Sequence, residues 1–371
     1  MPASAAKPQP VRLSLGAVSD RDLARHLLTF DADVPSTYSA HTLPMAEAAH
    51  AAARSPIPWP EGRAPKAAPL PAPPSAAAPL SQHDYLIVTW TVEEAKCLAD
   101  VLTPGYPSKT AWYPYTHNFE AGFVPNIRKG APALASERLG SWFPTVIAGK
   151  SVMCFKSELH FSQDGPKLPV ANLWKQLIQE VRPKIVITTG TAGGVGPAVE
   201  LGDVVVARMV RFDCTKEFAD AGFRSASYAC SKLALPSQAE AEKLFHANLQ
   251  HLPAGKRPPQ IFTGPLKDMV KLDSVVTTDF FAYDDTDDTF GLQSLGAAVE
   301  MGDAVLGMAI QELGGAAPQW IAVRNASDPE MNTQGLTPKE VRAKAAQIYE
   351  RFGYWTTICS AIACWALVLD N

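Results

Sequence analysis

The chain has 371 residues, of which 47% are hydrophobic and 19% charged, so it can bury one sizeable core. Its formal net charge of -4 argues against a nucleic-acid-binding surface, which is normally strongly basic. The six cysteines form no C-x-x-C pair and predict reduced core thiols rather than disulfides or a zinc site, and neither a metal nor a cofactor is expected.

The N-terminal part of the chain differs from the rest. Its start, MPASAAKPQP, has no apolar run suited to a secretory signal, so we expect a cytoplasmic protein. Residues 18–30 predict a short helix capped by Ser19 or Asp20. An Ala- and Pro-rich stretch then predicts a flexible linker, or an arm that reaches a neighbouring subunit. The expected organisation is an extension over 1–50, the linker or arm over 51–80, and the main domain over 81–371.

Strand and helix patterns alternate through the main domain. The predicted elements are, in order, strand 85–90, helix 91–102, strand 151–155, helix 170–181, strand–loop–strand 185–206, helix 237–252, strand 273–278, a helix from Glu300, and strand 320–323. Such alternation predicts a three-layer α/β/α sandwich with a central sheet. Ligands are expected where loops converge at the strand ends.

The stretch 185–206, IVITTGTAGGVGPAVELGDVVV, is the most informative part of the domain. An apolar run stops at a cluster of Thr and Gly, and a second apolar run follows. Gly190, Gly193 and Gly194 would let backbone approach a ligand closely, and Thr189 and Thr191 would supply hydroxyls. Most such clusters are merely turns, so this one needs support from elsewhere in the sequence.

The C terminus contains an uncharged stretch, 353–369, whose length approaches that of a membrane span. It continues a charged helix that begins near Pro338. A helix buried against the sheet is therefore favoured over a membrane anchor, and no membrane partner is expected.

Four motifs occur in a characteristic order: TGTAGG at 189–194, GDVV at 202–205, VEMGDA at 299–304 and RNASD at 324–328. In this order they resemble the nucleoside phosphorylase superfamily, and within it most closely the methylthioadenosine/S-adenosylhomocysteine nucleosidases. The resemblance runs from near Asp84 to the C terminus and leaves out the preceding residues. It implies a mixed central sheet of the nucleoside phosphorylase type.

The resemblance also implies two catalytic residues. Asp328 matches the family aspartate that protonates N7 of the leaving purine, and Glu94 falls on the glutamate that activates water. Structural alternatives stay open, because an Asp after a strand often caps a helix, and Glu93 and Glu94 are also favourable first-turn acids. The implied substrate-binding residues are Thr191, Ala192, Gly193, Phe281, Ala282, Glu300, Met301 and Ser327. Phe281 would stack on the base, with Phe280 as its competitor.

Two departures from the family pattern concern the sugar. Gly302 stands where the nucleosidases carry a glutamate that grips the ribose hydroxyls. Asp303 follows one residue later, which on a helix is a rotation of about 100°. The family's KSGIGK-like loop is replaced by KSELHFSQDG at 156–165, and with Lys156 or Lys167 nearby a 5′-phosphorylated nucleotide becomes an alternative substrate.

The sequence therefore predicts a purine nucleoside or nucleotide N-glycosidase. One alternative is a phosphate-dependent purine nucleoside phosphorylase, although the sequence does not reveal its phosphate site. The other is a catalytically weak nucleoside-binding protein of the same fold. From the resemblance we expect a homodimer, with a hexamer as the alternative assembly.

Overall fold

The computed structural model describes residues 17–34, 37, 54–255, 257–264, 273–282, 288–328 and 335–371. Most of the predicted N-terminal extension therefore lies outside the described residues. Residues 51–53 of the Ala- and Pro-rich stretch and residues 283–287, which follow Ala282, also lie outside the described residues.

The described strands are β1 (Lys66–Ala67), β2 (Tyr85–Thr89), β3 (Tyr113–Tyr115), β4 (Gly140–Ile147), β5 (Lys150–Ser157), β6 (Ile185–Gly194), β7 (Val204–Val206), β8 (Met209–Asp213), β9 (Ser227–Ala229), β10 (Ile261–Phe262), β11 (Ser274–Thr278), β12 (Ala298–Glu300) and β13 (Gln319–Asp328). The described α-helices are α1 (Asp20–Thr29), α2 (Val92–Leu102), α3 (Pro132–Ser136), α4 (Phe161–Asp164), α5 (Pro169–Val181), α6 (Gln238–Phe245), α7 (Asp303–Leu313) and α8 (Pro338–Asp370). Short π or 3-10 turns occupy Phe119–Phe123, Val124–Asn126, His246–His251 and Gly314–Ala316.

The thirteen described strands form one mixed sheet, in which nine follow the order β1-β4-β5-β2-β6-β12-β11-β8-β9. Off this path, β3 pairs with β4, β13 with β6 and β7, and β10 with β7. Strand β2 pairs in parallel with β5 and β6, and β6 also pairs in parallel with β13. The β4–β5 and β6–β12 pairs are antiparallel. Every residue of β2 is buried, as expected for a parallel strand covered by helices on both faces.

Helices cover the sheet in two layers. Helices α2 and α8 pack on each other, and α8 also packs against β6 and β13. Helices α5 and α7 pack together as the other layer. The predicted three-layer α/β/α sandwich with a mixed central sheet is confirmed.

The predicted tight loop at TGTAGG is wrong. Strand β6 continues through these residues to Gly194, because β13 pairs with it as far as Gly193 and β12 pairs with its last two residues. The apolar pattern ends at Thr188, but the partner strands continue to supply hydrogen-bonding groups beyond it. The hydrophobic pattern of one segment does not show how far its partner strands extend.

The predicted start of the helix at Glu300 is also wrong. Glu300 ends β12, and α7 begins at Asp303. Both carboxylate oxygens of Glu300 accept the backbone N–H of Asp303 at 3.0 Å. Glu300 thus satisfies one of the unpaired N–H groups at the start of the helix from a position outside it.

The C-terminal stretch lies in α8, which is long and apolar enough to cross a membrane by length and composition. In this structure 94% of its most apolar window is buried within the protein. Such burial is typical of the core helix of a soluble domain, the reading that the sequence favours.

The Ala- and Pro-rich segment lies against the domain of its own chain over residues 54–80. Strand β1 pairs antiparallel with β4 and forms the edge of the sheet. Nearby, Trp59 packs on Trp365 with ring centroids 5.0 Å apart, and the indole N–H of Trp365 donates to the carbonyl of Arg63 at 2.7 Å. Helix α1 is capped by Ser19, whose hydroxyl accepts the N–H of Asp22.

Candidate active site

One cavity opens at the strand ends of β2, β6, β12 and β13, and all ten predicted site residues line it. They are Glu94, Thr191, Ala192, Gly193, Phe281, Ala282, Glu300, Met301, Ser327 and Asp328. These residues come from parts of the chain separated by more than two hundred positions. Parallel strands place their carboxyl ends at one edge of the sheet, which explains the convergence.

Glu94 is buried at the start of α2 and accepts five hydrogen bonds. Its Oε1 accepts the N–H and the hydroxyl of Thr191, both at 2.7 Å. Its Oε2 accepts the hydroxyl of Thr89 at 2.8 Å and the N–H groups of Trp90 and Thr91 at 3.1 and 2.8 Å. The bond to Thr91 belongs to a capping box. Glu94 therefore has the helix-capping role that was the structural alternative to catalysis, and it also lines the cavity.

Burial alone would raise the pKa of Glu94. The positive charge of Arg324 and the hydrogen bonds from Thr191 and Thr91 outweigh that effect and hold the pKa below its usual range. The carboxylate is therefore ionised at neutral pH. An ionised carboxylate is the form that stabilises a cationic sugar and accepts a proton from water.

Gly190 explains part of the TGTAGG motif. A Cβ atom at this position would lie 2.5 Å from the carboxyl carbon of Glu94, and its φ of 146° is one that L side chains rarely adopt. At Gly193, a Cβ would lie 2.9 Å from Val299 and 3.4 Å from Oδ2 of Asp328. The sequence analysis expected these glycines to admit a ligand, whereas Gly190 makes room for the carboxylate of Glu94.

Asp328 ends β13 and lines the same cavity. Burial raises its pKa to about 7, although the hydroxyl of Ser327, which donates to Oδ1 at 2.8 Å, acts in the opposite direction. A carboxylic acid with this pKa keeps a proton on a substantial fraction of molecules at neutral pH. It can therefore act as a general acid, which an ordinary aspartate cannot.

Arg324 organises the acidic groups beneath the cavity. Its guanidinium binds the carboxylate of Asp303 through Nε at 2.7 Å and through Nη2, and it lies 3.4 Å from Glu300. It also lies over the ring of Trp90, 4.8 Å from the centroid. Burial, then the charge of Asp303, raise the pKa of Glu300 to about 8. Asp303 is completely buried in this pair and does not line the cavity.

The two neighbouring phenylalanines separate in the structure. Phe280 is buried in a small core cluster and packs on Phe290, with centroids 5.6 Å apart. Phe281 is less buried and packs toward the N-terminal half of α8. Both line the cavity, so the stacking role of Phe281 stays a prediction.

Several further residues line this cavity that could not be assigned to it from the sequence. Trp90, Tyr349 and His160 line it, as do Ala24 and the two leucines that follow on the same face of α1. His160 stands in the loop that departs from the family pattern, which was the available signal. Nothing in the sequence of α1 indicated that the N-terminal extension covers the site of its own chain. Among the described residues, no group of His, Cys, Asp and Glu side chains is arranged to hold a metal ion.

The position of Gly302 bears on sugar recognition. Its φ is −172°, which is extended backbone, and a Cβ there would make ordinary contacts with Oε2 of Glu300 at 3.5 Å and with Trp90 at 3.6 Å. A side chain is therefore accommodated at this position. Neither Gly302 nor Asp303 presents a carboxylate to the cavity.

We expect weak discrimination between ribose and 2′-deoxyribose substrates, within a few-fold in kcat/KM. Gly302→Glu should increase the ribose preference by about ten- to hundredfold, the usual effect of one charge-assisted hydrogen bond. Gly302→Ala is the matched control, since it adds the Cβ without the carboxylate. A strong ribose preference in the wild type would show that another group, such as Glu300, grips the sugar.

The fold and the cavity together define a three-layer α/β protein with a polar site at the carboxyl edge of a mixed sheet. Residues 170–353 match the model of the family described as the Phosphorylase superfamily. The chain belongs to this superfamily. The matched segment contains the TGTAGG, GDVV, VEMGDA and RNASD motifs. No curated protein matches the chain.

Several solved structures are similar at low identity. A 5′-methylthioadenosine/S-adenosylhomocysteine nucleosidase from Neisseria meningitidis, in complex with methylthio-immucillin-A, is 17% identical with a TM-score of 0.47, covering 77% of this chain and 99% of its own. An S-adenosylhomocysteine nucleosidase from Streptococcus pyogenes is 17% identical with a TM-score of 0.46, covering 78% and 97%. Futalosine hydrolase of Helicobacter pylori is 15% identical with a TM-score of 0.45, covering 77% and 97%.

Proposed function

We propose that the protein is a purine nucleoside or nucleotide N-glycosidase that hydrolyses the bond between base and ribose. One observation carries this proposal: two carboxyl groups, Asp328 and Glu94, line one cavity, and their surroundings move their pKa values in opposite directions. Such a separation is typical of an acid and a base that act on one substrate. Membership of the Phosphorylase superfamily is consistent with this reaction class.

In the proposed reaction, protonated Asp328 donates its proton to N7 of the purine as the bond between C1′ and the base lengthens. The electron pair of that bond leaves with the base, and the sugar becomes a cation stabilised by ionised Glu94. A water molecule near Glu94 attacks C1′ and passes its proton to the carboxylate. The hydroxyl of Thr191 can rotate away from Glu94 to admit this water.

Hydrolysis is favoured over phosphorolysis because of the charges around the cavity of the candidate active site, called the first cavity below. Arg324 is the basic side chain among its described lining residues, apart from the imidazole of His160. Its guanidinium is already bound to Asp303, and burial lowers the pKa of His160 to about 3. A phosphate dianion beside Glu94 would meet a negative charge without a dedicated cation.

The proposal is tested by incubating the protein with purine nucleosides and the corresponding 5′-monophosphates, with and without inorganic phosphate, and measuring the released base. We expect release that does not depend on phosphate, with free ribose or ribose 5-phosphate as the second product. Formation of ribose 1-phosphate would establish the phosphorylase alternative. Calorimetry that shows nucleoside binding without turnover would instead establish the binding-protein alternative.

The pH profile provides a separate prediction. Since Asp328 must be protonated and its pKa is about 7, kcat/KM should fall about tenfold per pH unit above pH 7. Glu94 must be ionised, and its lowered pKa means that no loss should occur on the acid side until below the ordinary glutamate value of about 4.3. The measurement is a profile from pH 5 to 9 (roughly the stable range of folded proteins).

The substitution Ser327→Ala tests whether ionisation of Asp328 causes the loss of kcat/KM above pH 7, which is the alkaline limb of the profile. The hydroxyl of Ser327 lowers the pKa of Asp328, so its removal should move the limb to higher pH. Glu300 has a pKa of about 8 but makes no hydrogen bond with Ser327 within the described part of the chain. A limb that stays in place in Ser327→Ala would therefore assign it to another group.

We further propose that the protein is a cytoplasmic homo-oligomer, with a dimer as the expected assembly and a hexamer as the alternative. The six cysteines are buried and unpaired, which suits a reducing compartment. Light scattering at micromolar concentration should give at least twice the chain mass. A monomeric mass with full activity would contradict the assembly proposal, and helix α1, which covers the cavity of its own chain, would then explain how one chain is sufficient.

A further inference from the structure

A second cavity lies beside the candidate active site. Its volume is about 340 Å³, and it shares a wall with the first cavity made of Leu28, Trp90 and His160. The first cavity measures about 100 Å³, below the range of about 300 to 1,000 Å³ typical of small-molecule sites. A substrate that carries a further group beyond its base and sugar therefore needs the neighbouring space as well.

The wall of the second cavity carries an excess of positive charge. Arg138 and Lys156 line it together with one carboxylate, Glu158, whereas the ammonium of Lys109, which also lines it, is already paired with Asp31 and Asp33. The Oε1 of Glu158 accepts Nε and Nη2 of Arg138 at 3.0 and 2.7 Å, and its Oε2 accepts Nζ of Lys156. Burial would raise the pKa of Glu158, but these two cations hold it below its usual range. Two cations that share one carboxylate retain a net positive charge.

Unused hydrogen-bond donors accompany these cations. Ser108 and Ser141 are buried and line the second cavity, and neither hydroxyl makes a hydrogen bond with any described residue. The Nη1 group of Arg138 likewise has no acceptor in the described part of the chain. Ser141 lies directly opposite Lys156 across the β4–β5 pair, so the two side chains share one face of the sheet. Several donors around a positive charge suit an oxyanion.

His160 connects the two cavities. Its Nδ1 accepts the backbone N–H of Ser162 at 3.3 Å and lies 2.8 Å from the hydroxyl of Ser162, which can donate to it, and burial keeps the ring neutral by lowering its pKa to about 3. The proton therefore resides on Nε2. This N–H has no acceptor among the described residues, and the ring lies in the shared wall. It is placed to donate to an oxygen that passes from one cavity to the other.

We propose that the second cavity binds the phosphate of a nucleoside 5′-monophosphate whose base and sugar occupy the first cavity. This inference rests on the proposed function and specifies its substrate class. A phosphate monoester has several terminal oxygens for the donors of Arg138, Lys156 and Ser141. An amino-acid tail fits poorly, because Glu158 is already shared by two cations and offers a substrate ammonium no unshared carboxylate.

The test compares kcat/KM for purine nucleoside 5′-monophosphates and the corresponding nucleosides, from base release by the full chain. We expect a preference of about ten- to hundredfold for the monophosphates, the effect of a charge-assisted hydrogen bond. Arg138→Gln and Ser141→Ala should each reduce that ratio. Lys175→Met, which removes a half-buried lysine that is paired with Glu312 and lines neither cavity, is the matched control and should leave the ratio unchanged.

Each outcome bears on one proposal. Faster release from nucleosides, with a ratio that Arg138→Gln does not alter, would overturn the phosphate site and leave the glycosidase intact. Base release that requires inorganic phosphate would overturn it as well, since the anion would then be the nucleophile. If no substrate releases base, calorimetry with adenosine and adenosine 5′-monophosphate still decides: tighter binding of the monophosphate that is lost in Arg138→Gln supports the site, and equal binding overturns it.

Discussion

Asp328→Asn should lower base release by about 10² to 10⁴-fold, the usual contribution of a general acid. The amide keeps the size of the side chain and can still accept the hydrogen bond from the hydroxyl of Ser327. It carries no transferable proton, so the leaving purine would depart as an anion. The measurement is kcat/KM for a purine substrate that the wild type hydrolyses, together with the melting temperature of the variant.

Asp213→Asn is the matched control for this variant. Asp213 ends β8, as Asp328 ends β13, and burial raises its pKa too. It does not line the cavity. We expect its activity to stay close to that of the wild type. Activity of Asp328→Asn within a few-fold of the wild type would refute the role of Asp328 as the acid.

Glu94→Gln should abolish measurable hydrolysis, and added phosphate should not restore it. The substitution removes the negative charge that stabilises the sugar cation and the base that accepts the proton from water, together worth at least about 10² to 10⁴ in rate. It also turns one acceptor oxygen into an amide donor that faces other donors. Part of the loss can therefore come from reduced stability, which thermal unfolding will report.

Glu93→Gln separates the two effects. Glu93 is the neighbouring residue of α2 and is equally buried, but it accepts the N–H of Ala32 and the ammonium of Lys96, away from the cavity. A similar fall in stability with little loss of activity is expected. If both variants lose activity in proportion to their stability, Glu94 acts through the capping box and not through chemistry.

The sheet and the residues at its carboxyl edge could be predicted from the sequence, for a local reason. Buried parallel strands such as β2 consist of continuous apolar residues, and the chain direction tells which end of each strand carries the polar group. Glu94 follows β2 and Asp328 ends β13, and it was the resemblance to the nucleoside phosphorylase superfamily that assigned both to one site. Gly190 was visible as a glycine, although its partner was not.

Contacts between distant parts of the chain account for what the sequence did not reveal. The pKa of Asp328 depends on how deeply the assembled cavity buries it, and the orientation of Asp303 at the start of α7 depends on Arg324 from β13. The second cavity brings together Arg138, which precedes β4, and Lys156, which lies in β5. Helix α1 reaches the site across a long connection. Burial and charge pairing are properties of neighbours in space, and a linear pattern carries no measure of either until the sheet is assembled.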